Sequence, residues 1–232
     1  MRARYGSPRA RLVEVVGPAG AGKSALAEAY CARDPVRRRL ESLWGLPRTF
    51  LLAGGAALLP TMAAAALSGR PMNPEELTHR IRIEALRRAV AAARAQPACL
   101  VLMDEGWLFG MSWLEVFHPA AGESARELWR TRQIEYWSRQ LDAVILLDAD
   151  DAVLAQRIRT RAKPHPVKAS GDEEIRSFTA RFRHAFERVV RDVRAAGRVA
   201  SLDLRTDHGV LADHVDRLHA ALDGIEQKGT IS

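Results

Sequence analysis

The sequence predicts an α/β protein built on a parallel sheet with helices on both faces, and three observations carry that prediction. A β-branched strand, Leu12-Val13-Glu14-Val15-Val16, runs straight into a glycine-rich loop and then into a helix-forming segment, Ala25 to Cys31. Short apolar runs at 98–103, 143–147 and 199–204 follow later, and helical patterns separate or follow them, an alternation that suits a parallel sheet covered on both sides. The length of 232 residues is that of one ordinary domain, enough to bury a core without disulfides or metal staples. A single domain over residues 1–232 is therefore expected.

Taken in order, the next segment is the least regular. Residues 36–69 look largely helical, with no second strand ending in a carboxylate. From Thr49 to Gly69 no side chain is charged, and the run from Phe50 to Pro60 is strongly apolar. Its length permits a bilayer crossing, but Gly54, Gly55, Pro60 and the many alanines favour a helix that is buried or lines a cleft. Membrane contact through residues 50–68 is the weaker reading. After Asn73-Pro74, which suits a helix start, Glu75 to Ala95 carries Leu77, Ile81, Leu86 and Val90 on one side of an amphipathic helix. Ser124-Ala125-Arg126-Glu127 is a capping-box pattern for a helix running toward Leu141, and Asp150 or Asp151 caps another through Leu154 and Ile158. Asp172 to Ala195 repeats Ile175, Phe178, Phe182, Phe186, Val189 and Val193 at helical spacing, the mark of a core stripe. A last helix covers Val210 to Leu222, with a mobile tail expected after Gly224.

Composition narrows the partners. A formal net charge of +7 suits polyphosphates, nucleic acid or an anionic membrane surface. The arginines are spread along the chain rather than interleaved with aromatics in one tract, so no nucleic-acid groove is expected. Cys31 and Cys99 lie far apart, giving neither a disulfide framework nor a metal-ligand spacing. The arginines Arg2, Arg4, Arg9 and Arg11 are not followed by an apolar stretch with a small-residue cleavage site. A cytoplasmic setting is expected. His214 and His219 are five apart and off a shared helix face, so no metal site beyond Mg²⁺ is expected.

Three groups of residues carry chemistry. Gly17-Pro18-Ala19-Gly20-Ala21-Gly22-Lys23-Ser24 fits the phosphate-loop pattern, which arises by chance in roughly one chain per hundred of this length. Glycines there let successive backbone N–H groups point at phosphate oxygens, Lys23 reaches the β- and γ-phosphates, Ser24 ligates Mg²⁺, and the helix start adds a favourable dipole. Lysine occurs only at Lys23, Lys163, Lys168 and Lys228, so its presence in this slot is informative. The second group is Asp104-Glu105-Gly106, directly after a strand. A carboxylate at that strand end can hold the Mg²⁺ shell or accept the proton of an attacking hydroxyl. Adjacent acids point to different sides, and Asp104 is favoured as the metal-side or base residue, with Glu105 second. The third is Arg157 with Arg161, four apart at a helix end, which can converge on one transferring phosphate under a flap that excludes water. Beyond these, the run Trp107 to Trp113 offers aromatics to stack on or enclose an acceptor, and Arg80, Arg126 and Arg130 are candidates to grip an anionic one.

On these motifs the chain resembles the P-loop nucleoside and nucleotide kinases, the thymidylate kinase and deoxynucleoside kinase group especially. Gly17 to Ser24 matches their phosphate loop, Asp104-Glu105-Gly106 stands where they carry a short acidic motif, and Arg157-Ile158-x-x-Arg161 is similar to their lid pattern. The resemblance implies a three-layer α/β/α sandwich with a five-stranded parallel sheet of order 2-3-1-4-5, a helical acceptor-side insertion over 34–74 and a lid over 157–171. It also implies Mg²⁺–ATP as donor, with nucleotide contacts from Gly17, Pro18, Ala19, Gly20, Ala21, Gly22, Lys23, Ser24, Ala25, Arg157 and Thr206. Adenine is placed near Arg205-Thr206-Asp207, and the metal at Ser24 and Asp104. The chain departs from the pattern at Glu105-Gly106, where the group carries an arginine that contacts the acceptor.

The reading that results is an ATP-dependent, Mg²⁺-requiring kinase acting on a small-molecule, nucleoside- or nucleotide-like acceptor, with homodimerisation left open. Lys23, Asp104, Glu105, Arg157 and Arg161 are its catalytic candidates. A P-loop ATPase switch that couples hydrolysis to a protein or membrane partner is the alternative, and a sulfotransferase-like protein a third reading that the lid arginines weaken.

Overall fold

The computed structural model describes residues 10–40, 42–96, 100–120 and 124–229, without the side chains of 225–229. The proposed strand start at Ala98 and Cys99, the arginines Arg2, Arg4 and Arg9, and the end of the tail lie outside the described residues. The sheet has five strands, β1 (Arg11–Val16), β2 (Arg37–Arg39), β3 (Leu100–Met103), β4 (Ala143–Asp148) and β5 (Ala200–Arg205), in the order β2-β3-β1-β4-β5. All four pairings are parallel, with Leu12 opposite Val101 and Val15 opposite Ile145. This is the 2-3-1-4-5 sheet that the resemblance implies.

Alternation along the central strands divides the core between two layers. Val13 and Val15 of β1, Leu100 and Leu102 of β3, and Ile145 and Leu147 of β4 pack beneath α1 (Lys23–Ala32) and α8 (Leu211–Gly229). Leu12 and Val16, with Val101, Met103 and Val144, face the larger cluster, which α3 (Pro74–Arg94), α4 (Trp107–Phe117), α5 (Ser124–Ser138) and α7 (Asp172–Ala196) complete. Glu14 lies between Leu12 and Val16 on that same face and is fully buried. The remaining helices are α2 (Arg48–Leu67) and α6 (Asp151–Thr160).

The segment over 36–69 is largely helical, and it also holds the edge strand β2, Arg37–Arg39, which the sequence did not mark. Three consecutive arginines have no strand propensity of their own. They are held by pairing with β3 and by a partner for each side chain: Arg37 lies over the Tyr30 ring at 4.2 Å, Arg38 bonds Gln96, and Arg39 bonds Asp104. The expectation that is corrected concerns α2, which is mostly exposed rather than buried. One side packs on α3 and touches α5, burying Gly54, Leu58 and Ala65, and Gly54 comes so close to α3 that an added Cβ would stand 2.4 Å from the Ile81 carbonyl oxygen. Its other sides are open, with Leu52 77% and Leu67 89% exposed. Among the described residues it is the one helix long and apolar enough to cross a membrane.

Asn73 begins α3 as expected, its side-chain oxygen accepting the Glu76 N–H at 2.8 Å ahead of Pro74. Asn73→Ala removes this cap and should cost about 1 kcal/mol in urea unfolding. Asp150 stands at the N-cap of α6 but makes no side-chain cap there, pairing instead with Arg205.

Candidate functional site

The loop between β1 and α1 is shaped by its glycines. Gly17 has a φ of +151° and passes so near β4 that a Cβ would stand 2.0 Å from the Leu147 carbonyl oxygen. No other residue fits there. Gly22, in the left-handed region, leads into α1 at Lys23. The Lys23 ammonium folds back along the loop, donating to the carbonyls of Gly17 (2.8 Å) and Pro18 (2.9 Å). Burial lowers its pKa to about 8, against the pull of Glu105 and Asp104 and with the push of Arg161.

A cavity of about 390 Å³ opens over this loop. Gly17, Ala19, Gly20, Gly22, Lys23, Ser24 and Ala25 line it, together with Glu105, Arg157 and Arg161. Ala21 is fully buried beneath the loop. Pro18 lines the neighbouring groove between β5 and α7.

The two acids after β3 part as adjacent side chains do. Asp104 is 2% exposed and held by Arg39, with Nη2 donating to Oδ2 at 2.8 Å. It does not line the cavity, whereas Glu105 does. Asp104 is thus engaged by Arg39 and Glu105 is left at the cavity, because β2, which the sequence did not mark, brings Arg39 to Asp104. Ser24 and Glu105 are two oxygen donors beside a phosphate loop. That set fits Mg²⁺, which takes few protein ligands and fills its shell with phosphate oxygens and water.

Arg157 and Arg161 do not share a helix face, since α6 ends at Thr160. Both still reach the cavity. Arg157 is braced, with Nη1 donating to Thr206 Oγ1 (3.0 Å) and the Gly20 carbonyl (3.3 Å), and Nη2 to the Thr206 carbonyl (2.7 Å). Thr206 itself is buried behind the loop, within hydrogen-bond distance of the carbonyls of Ala21 and Asp148. It is a strut under the loop rather than a wall of the cavity. Arg161 makes no ion pair among the described residues. The segment after it turns back on itself, Lys168 Nζ donating to the Arg161 carbonyl at 2.6 Å. This turn puts His165 into the cavity, its pKa lowered by burial and by the nearby Arg161 and Lys23. Nothing in the sequence marked His165, which stands between Pro164 and Pro166 shortly after Arg161.

The aromatic run divides along α4. Trp107 goes into the core and stacks on Trp137, while Phe109, Trp113 and Phe117 reach the cavity. Phe178, Phe182 and Phe186 of α7 face them. The start of α4 is held by Glu14, whose carboxylate accepts the N–H groups of Leu108 (3.0 Å) and Phe109 (3.1 Å) from across the sheet. Arg80, Arg126 and Arg130 do not grip anything in this cavity. Arg80 and Arg126 both bond Glu76, Arg130 bonds Glu115 and Asp192, and all three line a separate cavity with Met111 and Leu114. Glu76 lies four residues before Arg80 on the same helix, a pairing the spacing allows, whereas the partners of Arg126 and Arg130 are distant in sequence.

Solved structures share this architecture. A thymidylate kinase from Candida albicans superposes with a TM-score of 0.57 at 12% identity, covering 94% of this chain and 93% of its own. The chain has the fold of the P-loop kinases. A deoxyadenosine kinase from M. mycoides gives 0.56 at 13% identity, covering 92% of this chain and 99% of its own. A shikimate kinase from Bacteroides thetaiotaomicron gives 0.52 at 16% identity, with coverages of 92% and 98%. No protein-family model and no curated sequence matches the chain. Within the P-loop kinase fold, the glycine-rich loop, Glu105 of the acidic strand end, Arg157 and Arg161 meet at the ends of β1, β3 and α6, around one cavity.

Proposed function

We propose that the chain is an ATP-dependent, Mg²⁺-requiring phosphotransferase that moves the γ-phosphoryl group of ATP onto a hydroxyl of a small molecule. The observation that carries this reading is that Lys23, Ser24, Glu105, Arg157 and Arg161 line one cavity above the phosphate loop. The loop amides and Lys23 hold the β- and γ-phosphates. Ser24 and Glu105 would hold the metal, which when bound neutralises charge on the phosphate oxygens. Glu105 also stands where it can take the proton of the attacking hydroxyl. The new bond joins that oxygen to the γ-phosphorus, the bond from phosphorus to the β–γ bridging oxygen breaks, and ADP leaves. Arg157, fixed by Thr206 and Gly20, and Arg161, without an ion-pair partner among the described residues, stabilise the charge on the transferring group.

Calorimetry with Mg²⁺–ATP tests the donor half, and absence of heat at millimolar nucleotide removes the reading. For the transfer half, Arg161→Ala is expected to lower kcat about a hundredfold while moving the KM for ATP little. An equal loss in kcat/KM arising from KM alone would instead make Arg161 a ground-state ligand.

The open apolar face of α2 favours one second reading, an ATPase switch that presents a surface to a protein or membrane. Its signature is steady hydrolysis indifferent to every acceptor and stimulated by lipid vesicles or a protein. A nucleoside- or nucleotide-like acceptor rests on the resemblance and on the names of the fold neighbours, and the walls of the cavity bear on it directly.

A further inference from the structure

The acceptor end of the cavity is walled by two aromatic rows. Phe109, Trp113 and Phe117 recur every fourth residue on α4, and Phe178, Phe182 and Phe186 do the same on α7. Four-residue spacing keeps each row on one face of its helix. The rows meet at Phe117 and Phe182, edge to face at 6.0 Å between centroids, and within the rows Phe178 and Phe182 lie tilted at 5.0 Å and Trp113 and Phe117 at 4.9 Å. Trp113 is held in place from behind. The His79 ring stacks on it at 3.4 Å and 6°, and His79 is itself tied through Nδ1 to the Glu75 carbonyl at 3.0 Å. A ring so fixed is a prepared surface, since its ordering cost is met before any ligand arrives.

The polar inventory at this end is short. Beyond the phosphate loop, the described residues lining the cavity supply Glu105, His165, Arg157, Arg161 and the indole N–H of Trp113, and no asparagine, glutamine, threonine or tyrosine. A nucleobase brought here would lose water from its N–H and carbonyl edge and find few partners in return, at about 1–3 kcal/mol for each group left unpaired. A nucleoside monophosphate would need a cation for its own phosphate. Arg157 is already engaged with Thr206 and Gly20, and Arg161 stands with the loop and its lysine. Arg80, Arg126 and Arg130, which might have served, are paired in the other cavity. Aromatic walls instead reward a planar or bulky apolar body, through burial and through edge-to-face or offset contact with the rings.

We infer from the facing aromatic rows and the single carboxylate at their inner end that the acceptor is an uncharged alcohol with an aromatic or bulky apolar body. Its hydroxyl lies toward Glu105 and its body against the rings of α4 and α7 that line the cavity. The inference rests on the phosphotransferase reading. The step is unchanged: the alcohol oxygen bonds the γ-phosphorus, ADP departs, and the hydroxyl proton passes to Glu105, giving an alkyl phosphate. Once phosphorylated the product carries two negative charges that the aromatic walls do not stabilise, which favours its release.

The test compares acceptors under Mg²⁺–ATP by ADP formation and by detection of the phosphorylated product. The panel is 3-phenylpropan-1-ol and 2-phenylethanol against thymidine, deoxyadenosine, thymidylate and shikimate. The aryl alcohols are expected to show kcat/KM at least about tenfold above every nucleoside and nucleotide. Trp113→Ala should raise the KM for 3-phenylpropan-1-ol about tenfold or more, Trp113→Phe should restore most of it, and the Kd of Mg²⁺–ATP by calorimetry should stay the same in both. A variant that had merely lost its fold would lose ATP as well. Equal or better use of a nucleoside or nucleotide overturns the inference and leaves the phosphotransferase standing. So does Mg²⁺–ATP binding with no transfer to either aryl alcohol. Failure of Mg²⁺–ATP to bind overturns the parent reading and this one with it.

Discussion

Replacing Lys23 by alanine is expected to lower phosphoryl transfer about a thousandfold while leaving the fold intact. The lysine's ammonium makes two part-buried hydrogen bonds to loop carbonyls, Gly17 and Pro18, and both residues line surface cavities that water can enter. The loop does not depend on it for shape. That shape comes from Gly17 pressed against Leu147, from Ala21 buried below, and from Thr206 and Arg157 bracing the other side. What the substitution removes is a positive charge in a low-dielectric site, where one cation facing several phosphate oxygens counts for far more than in water. Initial rates and thermal unfolding, measured together, check the expectation. Unchanged turnover refutes the role, and a collapse of the melting temperature would show that the lysine is structural. Burial makes the lysine easier to deprotonate, with a pKa of about 8, so the same argument gives the free protein a loss of ATP affinity as pH rises above 8. The Lys23→Ala variant lacks that dependence.

The phosphate loop was legible from residues alone because its chemistry is local: one strand, one turn and one helix start, all within fourteen residues. The sheet order followed from the resemblance that those residues supported. What was not legible depends on partners distant in sequence. Arg37-Arg38-Arg39 becomes a strand only because β3 offers a ladder and Tyr30, Gln96 and Asp104 offer partners. That same edge decides between Asp104 and Glu105, since Arg39 engages one and leaves the other at the cavity. The core stripe of α7 was readable as a helix face, yet nothing in its spacing said that Phe178, Phe182 and Phe186 would also wall a cavity opposite α4. The uncharged stretch over 49–69 shows the opposite failure. Apolar composition argued for burial, but the fold covers one side of the helix only, along Gly54, Leu58 and Ala65, and leaves most of its surface open.

Glu14 was read only as one letter of a strand, yet it should give the protein a pH-dependent stability. It is fully buried between Leu12 and Val16 and pairs with backbone N–H groups at the start of α4. Burial pushes its pKa from an ordinary 4.5 to about 7, even against the pull of the N–H groups of Leu108, Phe109, Gly106 and Trp107. Below pH 4.5 the native and unfolded chains both carry the proton. Between 4.5 and 7 the native chain holds a proton that the unfolded one has released, so stability falls as pH rises through this window. Above 7 both are ionised and the loss is complete, on the order of 3 kcal/mol. Glu14→Gln cannot ionise, so its urea unfolding free energy should lack this decline between pH 5 and pH 8. It should also sit about 1–2 kcal/mol lower at pH 5, because the amide –NH₂ cannot accept one of the two N–H groups. Taking the difference between the two proteins cancels the histidines and the exposed acids, which titrate alike in both. Parallel curves for the two would show that Glu14 keeps one charge state throughout. A convergence of the curves toward pH 8 would mean that the strand carrying the phosphate loop and the helix carrying Phe109 and Trp113 are joined through a carboxylate that gains its charge near neutrality.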